Sequence, residues 1–200
     1  HPEEVNKLIS TLSEKPSMSN DDIQTGEWVR LKQLGKKGKE GRIFLVINEN
    51  GDSYAMKTFR QNKNPEALLK EVEFQIKVSE SEYELAPRII EYNLKDKYIV
   101  MERMDKTLVD ILDQQKGVLH TEQQKDIIRL FSKLDEIGVF HNDANPLNIM
   151  TRRKKDGKDE DKFHIIDFGF SSQCDNKSLK GVKHPNVQFM TVGLMIYLVQ

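Results

Sequence analysis

The sequence predicts an α+β fold in two parts: a five-stranded antiparallel sheet with one helix, then a shorter, mostly helical part. Three observations lead there. Between Trp28 and Met101, short β-rich runs are separated by Gly and Asn-Gly punctuation. A single stripe of helical periodicity, opened by Pro65, interrupts them. Past Met104 the apolar spacing changes to that of helices. The expected divisions are an amphipathic helix and linker over 1–26, the sheet part over 27–104 and the helical part over 105–200.

Taken in order, Val5, Leu8, Ile9 and Leu12 share one helical face, and Ser17, Ser19, Asn20, Asp21 and Asp22 read as a polar linker. The chain starts at His1 rather than Met, so a processing remnant is expected there. Leu31 to Leu34 leads into Gly35, Gly38 and Gly41. Ile43 to Ile47 and Tyr54 to Phe59 are strands joined at Asn50-Gly51, a strong hairpin signal. Asn64 as N-cap and Pro65 as first helical residue start a helix carrying Leu68, Leu69, Val72 and Ile76. Ile89 to Tyr92 and Lys97 to Met101 form the last hairpin of the sheet. The helical part opens with Leu108 to Gln115, followed by a helix that Thr121 and Gln124 would start as a capping box and Gly138 would end. Val139 and Phe140 enter a loop. Two apolar runs flank 152–162, where every residue but Gly157 is charged, a solvated hairpin tip. Residues 185–200, with Met190, Leu194, Met195 and Leu198, read as one apolar helix.

Composition narrows the function. Thirty-one Lys and Arg balance 32 Asp and Glu, for a net charge of −1, so no overall field draws nucleic acid or anionic lipid, and no nucleic-acid partner is expected. Cys174 is the single cysteine among 200 residues, which excludes an intrachain disulfide and a cysteine-based zinc site and fits a reducing compartment. No apolar run reaches the ~20 residues of a bilayer span. A soluble, cytoplasmic protein is expected.

Chemistry is carried by short motifs. Gly35, Gly38 and Gly41, with three lysines between them, would let backbone amides approach phosphate oxygens; a flexible hairpin without ligand is the plain alternative. Lys57 lies on an apolar strand, where an ammonium needs a carboxylate or phosphate partner, and Glu71 on the next helix can supply one. Asp143, the amide of Asn148 and Asp167 are hard oxygen donors suited to Mg2+. His141, with no Cys and no second His beside it, is expected to be a structural hydrogen-bonding residue.

In this order, a Gly-rich turn, Ala55-Met56-Lys57, a helix Glu, His141-Asn142-Asp143 with Asn148, and Asp167-Phe168-Gly169, the chain resembles the protein-kinase superfamily from about Trp28 to its end. The resemblance implies a two-lobed protein-kinase-like fold and ATP with Mg2+ as cofactors. By it, Lys57 would hold the α- and β-phosphates and pair with Glu71, Asp143 would orient or deprotonate the acceptor hydroxyl, and Asn148 and Asp167 would hold metal. The turn glycines would cover the phosphates. Ile43 and Ala55 would cover adenine, Met101 would be the gatekeeper, and the backbone of Glu102, Arg103 and Met104 would read the base.

The departures are as specific. The glycine spacing is Gly35-x-x-Gly38-x-x-Gly41, so the first glycine is displaced by one residue from the usual pattern. Asn142 stands where many regulated kinases carry Arg, so the segment after Gly169, with Ser171, Ser172 and Ser178, is expected to work without phosphorylation. No Ala-Pro-Glu follows, and Gln188 takes the place where typical kinases have an Asp bracing the catalytic loop. A truncated second lobe lacking the peptide-docking half is therefore expected. This compact form is similar to the small kinases of large DNA viruses and, secondarily, to minimal kinase effectors of enteric bacteria, which would place it in a host cytoplasm. The implied function is phosphoryl transfer to protein Ser or Thr hydroxyls, with an activating host protein as a candidate partner. Choline and aminoglycoside kinases share His-Asn-Asp but need a substrate subdomain for which 200 residues leave no room. A pseudokinase scaffold is the third reading.

Overall fold

In a computed structural model of the chain, the described residues are 24–25, 27–35, 41–153 and 156–198. The expected amphipathic helix and linker, apart from Gln24–Thr25, lie outside them, as does Gly38. The chain divides into two compact units: the described residues up to Pro65 with Ile90–Arg103, and Glu66–Ile89 with Met104–Gln200.

The first unit is built on an antiparallel sheet of β1 (Gln24–Thr25), β2 (Trp28–Leu34), β3 (Gly41–Ile47), β4 (Ser53–Phe59), β5 (Ile89–Asn93) and β6 (Tyr98–Met101), in spatial order β1-β2-β3-β4-β6-β5. The five expected strands are thus extended at one edge by the two-residue β1. The β3–β4 loop is closed by Asn48, whose side-chain oxygen accepts from the N–H groups of Asn50 and Asp52, both 3.0 Å, with Gly51 at φ 82°. Alternation sorts the side chains into two faces. One face carries Phe44, Val46, Tyr54, Met56, Tyr98 and Val100, which with Trp28 make a local core; Val46, Met56 and Val100 are fully buried. Trp28 and Tyr98 both donate to Glu91, at 2.7 and 3.0 Å, so the polar ends of these aromatics are satisfied on one carboxylate.

The second unit holds α1 (Pro65–Ser79), α2 (Leu108–Gln114), α3 (Thr121–Ile137), the two-residue β7 (Val139–Phe140), the hairpin β8 (Ile149–Arg153) and β9 (Asp159–Ile165), β10 (Ser172–Gln173), α4 (Pro185–Gln188) and α5 (Val192–Met195). Its core joins Ile127, Leu130, Phe131 and Leu134 of α3 to Leu108, Val139, Ile149, Ile165 and Phe168. The first four fall at i, i+3, i+4 and i+7, the spacing of one helical face. Gly138 ends α3 at φ 88°, a left-handed cap that glycine adopts without a Cβ clash.

Two expectations need correction. The helix over 121–137 is not opened by Thr121 and Gln124: the N-cap is His120, whose N–H donates to Gln123 at 2.9 Å, while Gln124 is buried and donates to the Leu119 carbonyl. A Thr capping box exists one helix earlier, where Thr107 and Asp110 bond reciprocally at the start of α2. The single helix expected over 185–200 is two short ones. Met190, Leu194, Tyr197 and Leu198 do face the core, but Val187, Phe189, Val192, Met195 and Ile196 are exposed. Phe189, at φ −112° and ψ 38°, leaves helical geometry, since a helix with one narrow buried stripe gains little from continuing.

Candidate active site

In the first unit β4 is paired on both sides, in the registers Ile43↔Lys57↔Ile99 and Leu45↔Ala55↔Met101. The same alternation that builds the aromatic core on one face therefore sets Ile43, Ala55, Lys57 and Met101 together on the other. Ala55, Lys57 and Met101 are buried and Ile43 half-buried. Lys57 is only 8% exposed, with its Nζ 4.9 Å from the Phe59 ring centre. Glu102 continues the chain from β6, and Met104, buried, begins the next stretch of the second unit. Gly35 is left-handed at φ 67°. Gly41 is required for a reason other than phosphate: a Cβ there would sit 1.8 Å from the Thr58 carbonyl oxygen across the β3–β4 pair.

In the second unit Glu71 is 2% exposed on the inner face of α1. The loop after β7 is held by side chains as well as by backbone bonds from Asn145 N–H to the Asp143 carbonyl, from Asn148 N–H to the Asn145 carbonyl and from Ile166 N–H to the Asn148 carbonyl. His141 is fully buried; its Nδ1 accepts from the Asp143 N–H at 3.2 Å, which leaves Nε2 to donate to the Ile166 carbonyl at 2.8 Å. Burial pushes its pKa down, consistent with a neutral ring of one tautomer. The imidazole thus ties the chain beside Asp143 to the chain beside Asp167, and it packs edge-on against Phe168 at 5.2 Å. Asn148 donates from Nδ2 to the backbone and carboxylate oxygens of Asp143, at 2.8 and 3.2 Å. Asn145 does the same at 3.3 Å to each, while its own oxygen caps the turn Pro146–Asn148 through Leu147 N–H. Asn142 at φ 66° and Asp167 at φ 63° are left-handed, a conformation that Asn and Asp tolerate better than other side chains. His141 is the structural hydrogen-bonding residue expected of it.

The brace of this loop is not where spacing suggested. Gln188 is exposed. Asn186, 2% exposed at the start of α4, accepts from the His141 N–H at 3.0 Å and donates to the Val139 carbonyl and to Asp135 at 2.9 Å. Asp135 in turn accepts the N–H groups of Asn186 and Val187. The amide and the negative charge of the brace are thus divided between two residues. Asn186 and Asp135 were missed by sequence reading, and Asn145 was read only as part of the Asn145-Pro146-Leu147-Asn148 run, whose Asn-Pro pair is a turn-opening signal.

The metal donors fit Mg2+ in kind. With Nδ2 of Asn148 turned to Asp143, its Oδ1 is left as a hard oxygen donor of the same kind as the oxygens of the Asp167 carboxylate. No group of three or more His, Cys, Asp or Glu able to hold a metal occurs among the described residues, so a cation there would draw its other ligands from phosphate and water. Beside this loop, Lys70, Glu73, Phe74 and Lys77 of α1 share a cavity of about 540 Å3 with Ser171, Ser172, Gln173, Asp175 and Asn176. Among the described residues its lining holds two lysines and two carboxylates, so those charges are equal in number.

Among the described residues no helix is long and apolar enough to cross a membrane. Comparison with curated proteins finds no match. The family model described as protein kinase domain matches residues 28–192, a stretch that contains the buried lysine strand, the Asp143 loop and Asp167. On that match the chain belongs to the protein kinase domain family.

Proposed function

We propose that the chain transfers the γ-phosphoryl group of ATP, with Mg2+, to Ser or Thr hydroxyls of proteins. The observation that carries this reading is the Asp143 carboxylate: two Asn side chains position it and a neutral buried His141 fixes its backbone, which suits a group that orients and accepts the proton of an attacking hydroxyl. Asn148 and Asp167 would hold the metal, which draws charge from the phosphate oxygens. Lys57, on a face shared with Ile43, Ala55 and Met101, would hold the phosphates, with the adenine against those apolar neighbours and the hinge backbone of Glu102 to Met104. Glu71 would pair with Lys57, and Gly35, Gly38 and Gly41 would cover the phosphates.

The likeness to compact viral or bacterial kinases rests on Asn142-Asp143 and Asn145-Pro146-Leu147-Asn148, and it carries with it a host cytoplasm and an activating host protein. The equal numbers of lysines and carboxylates among the described residues lining the cavity beside Ser171 and Ser172 support activity without phosphorylation of that segment, because among those residues no cation is in surplus to receive a phosphate. The test is incubation with labelled ATP and Mg2+ and a generic protein substrate, with choline and an aminoglycoside in parallel. Label in protein Ser or Thr is expected. Label in a small molecule alone, or ATP binding without turnover, would replace this reading by a small-molecule phosphotransferase or a scaffold.

A further inference from the structure

Charged side chains make up 32% of the sequence, yet they all but vanish around the Asp143 loop. Over 139–150 Asp143 is the one Asp, Glu, Lys or Arg, with His141 kept neutral by burial, and 185–198 has none. The second stretch is fastened along the first. Asn186 bonds to His141 and Val139, the Phe189 ring meets that of Phe140 edge-on with centres 6.3 Å apart, and the Thr191 hydroxyl donates to the Ala144 carbonyl at 3.5 Å. Residues of α4, and the start of α5, therefore lie beside the chain just before and just after Asp143. Stretches without charge are ordinarily buried, but Phe189 is 54% exposed and Val192 76%. Leu147, 61% exposed, sits in the turn between Asn145 and Asn148, and its N–H is taken by the Asn145 side chain. Its outward position thus comes with the same turn whose two Asn side chains hold the Asp143 carboxylate.

We infer that Leu147, Phe189 and Val192 receive the residues that flank the acceptor hydroxyl in a protein substrate, and that those residues are apolar. The inference rests on the phosphotransfer reading and narrows its substrate to a Ser or Thr set among side chains such as Leu, Met or Phe. Exposed apolar side chains gathered beside a polar centre mark a contact surface. A flanking Arg, Lys, Asp or Glu would give up water to two stretches that supply no counter-charge except Asp143, which costs free energy, whereas an apolar residue gains by the same contact. A flanking cation would also have Asp143 as its one partner in these stretches, and so would compete with the acceptor hydroxyl for that carboxylate. A second copy of the chain is the other occupant such a surface could have. Its place beside the candidate catalytic carboxylate favours the substrate.

The test uses the full chain, Mg·ATP and a set of peptides that share one Ser and differ in its flanks: Leu and Phe, Arg, Glu, or Gly. The Leu and Phe peptide is expected to have the highest kcat/KM, by about ten-fold over each of the others and through KM rather than kcat. Leu147→Gln with Val192→Gln should remove most of that preference by raising KM, with Mg·ATP affinity by calorimetry and the unfolding midpoint unchanged. Leu147→Met with Val192→Ile, which keeps the surface apolar, should retain it. Transfer to all the peptides alike, or a preference that the double Gln variant keeps, would overturn the inference and leave phosphotransfer standing. So would sedimentation as a dimer that the double Gln variant turns into a monomer, because a second copy would then close the surface. Transfer to none of the peptides despite bound Mg·ATP would overturn the phosphotransfer reading and the inference together.

Discussion

The Lys57 strand and the Asp143 loop both carry candidate chemistry, and they are held by different means. Lys57 takes its place from backbone pairing on both sides of β4, so its side chain can change while its neighbours stay. Asp143 takes its place from His141, Asn145, Asn148 and, at one remove, Asn186, each bonded through its own side chain to backbone in the loop. A strand site is therefore tolerant of substitution in its architecture and a loop site is not. Stability and activity should separate at the first and fall together at the second.

The largest effect is expected where the chemistry is most direct. Asp143→Asn should lower turnover by about 10^3-fold, within the range for a positioned acid or base, and spare Mg·ATP binding, while Asp167→Asn should weaken that binding; calorimetry with Mg·ATP checks both, and equal affinities would remove the division of roles. Asn186→Ala leaves the His141 N–H and the Val139 carbonyl without partners and should cost about 3 kcal/mol in denaturant unfolding, with transfer lost as well. Lys57→Met should also abolish transfer yet shift stability by less than about 1 kcal/mol, because it still fills an apolar slot. Equal destabilisation by the two would break the contrast.

A smaller effect is expected with pH. Burial, then the charges of Arg152 and Lys162, hold the His164 pKa down at about 4, and its Nδ1 is buried without a hydrogen-bond partner. The unfolded chain takes up this proton near pH 6.5, so the contribution is full above that value and lost as pH falls toward 4, by about 2–3 kcal/mol. Unfolding curves between pH 7 and 4 should show it, and His164→Gln should flatten the dependence. The smallest effect is expected from the hairpin tip: replacing most of 153–161 by Asn-Gly, with Lys162 kept for its bonds to the Tyr83 and Glu84 carbonyls, should leave turnover nearly unchanged and stability within about 0.5 kcal/mol. A selective loss of one natural target would make the tip a docking element.

How much could be read from sequence follows the same divide. The strands, the Pro65 start of α1, the Gly138 cap and the shared face of Ile43, Ala55, Lys57 and Met101 are consequences of local chemistry and alternation, and they were legible. The brace was not, because nothing local distinguishes Asn186 from Gln188 as the residue that reaches a loop some 45 positions earlier. The start of α3 shifted by one residue because His120 could take the N-cap while Gln124 satisfied the Leu119 carbonyl. Gly41 was assigned to phosphate, yet close approach to Thr58 is sufficient reason for it. The helical spacing of Met190, Leu194 and Leu198 between 185 and 200 still did not make one helix, since exposure of Val192 and Ile196 is set by what surrounds them.

The divided brace also has a consequence for synthesis. Chains emerge amino end first, and domains order as their parts become available. His141, Asp143 and Asn148 leave the ribosome well before Asn186, so during that interval Asp135, Val139 and the His141 N–H have no amide to close on. The nascent loop can form its internal turn but not its fastening to α3. An incomplete chain that stops short of residue 186 would therefore carry every group assigned to phosphoryl transfer without the contact that holds them, so the chain becomes competent only late in its own translation.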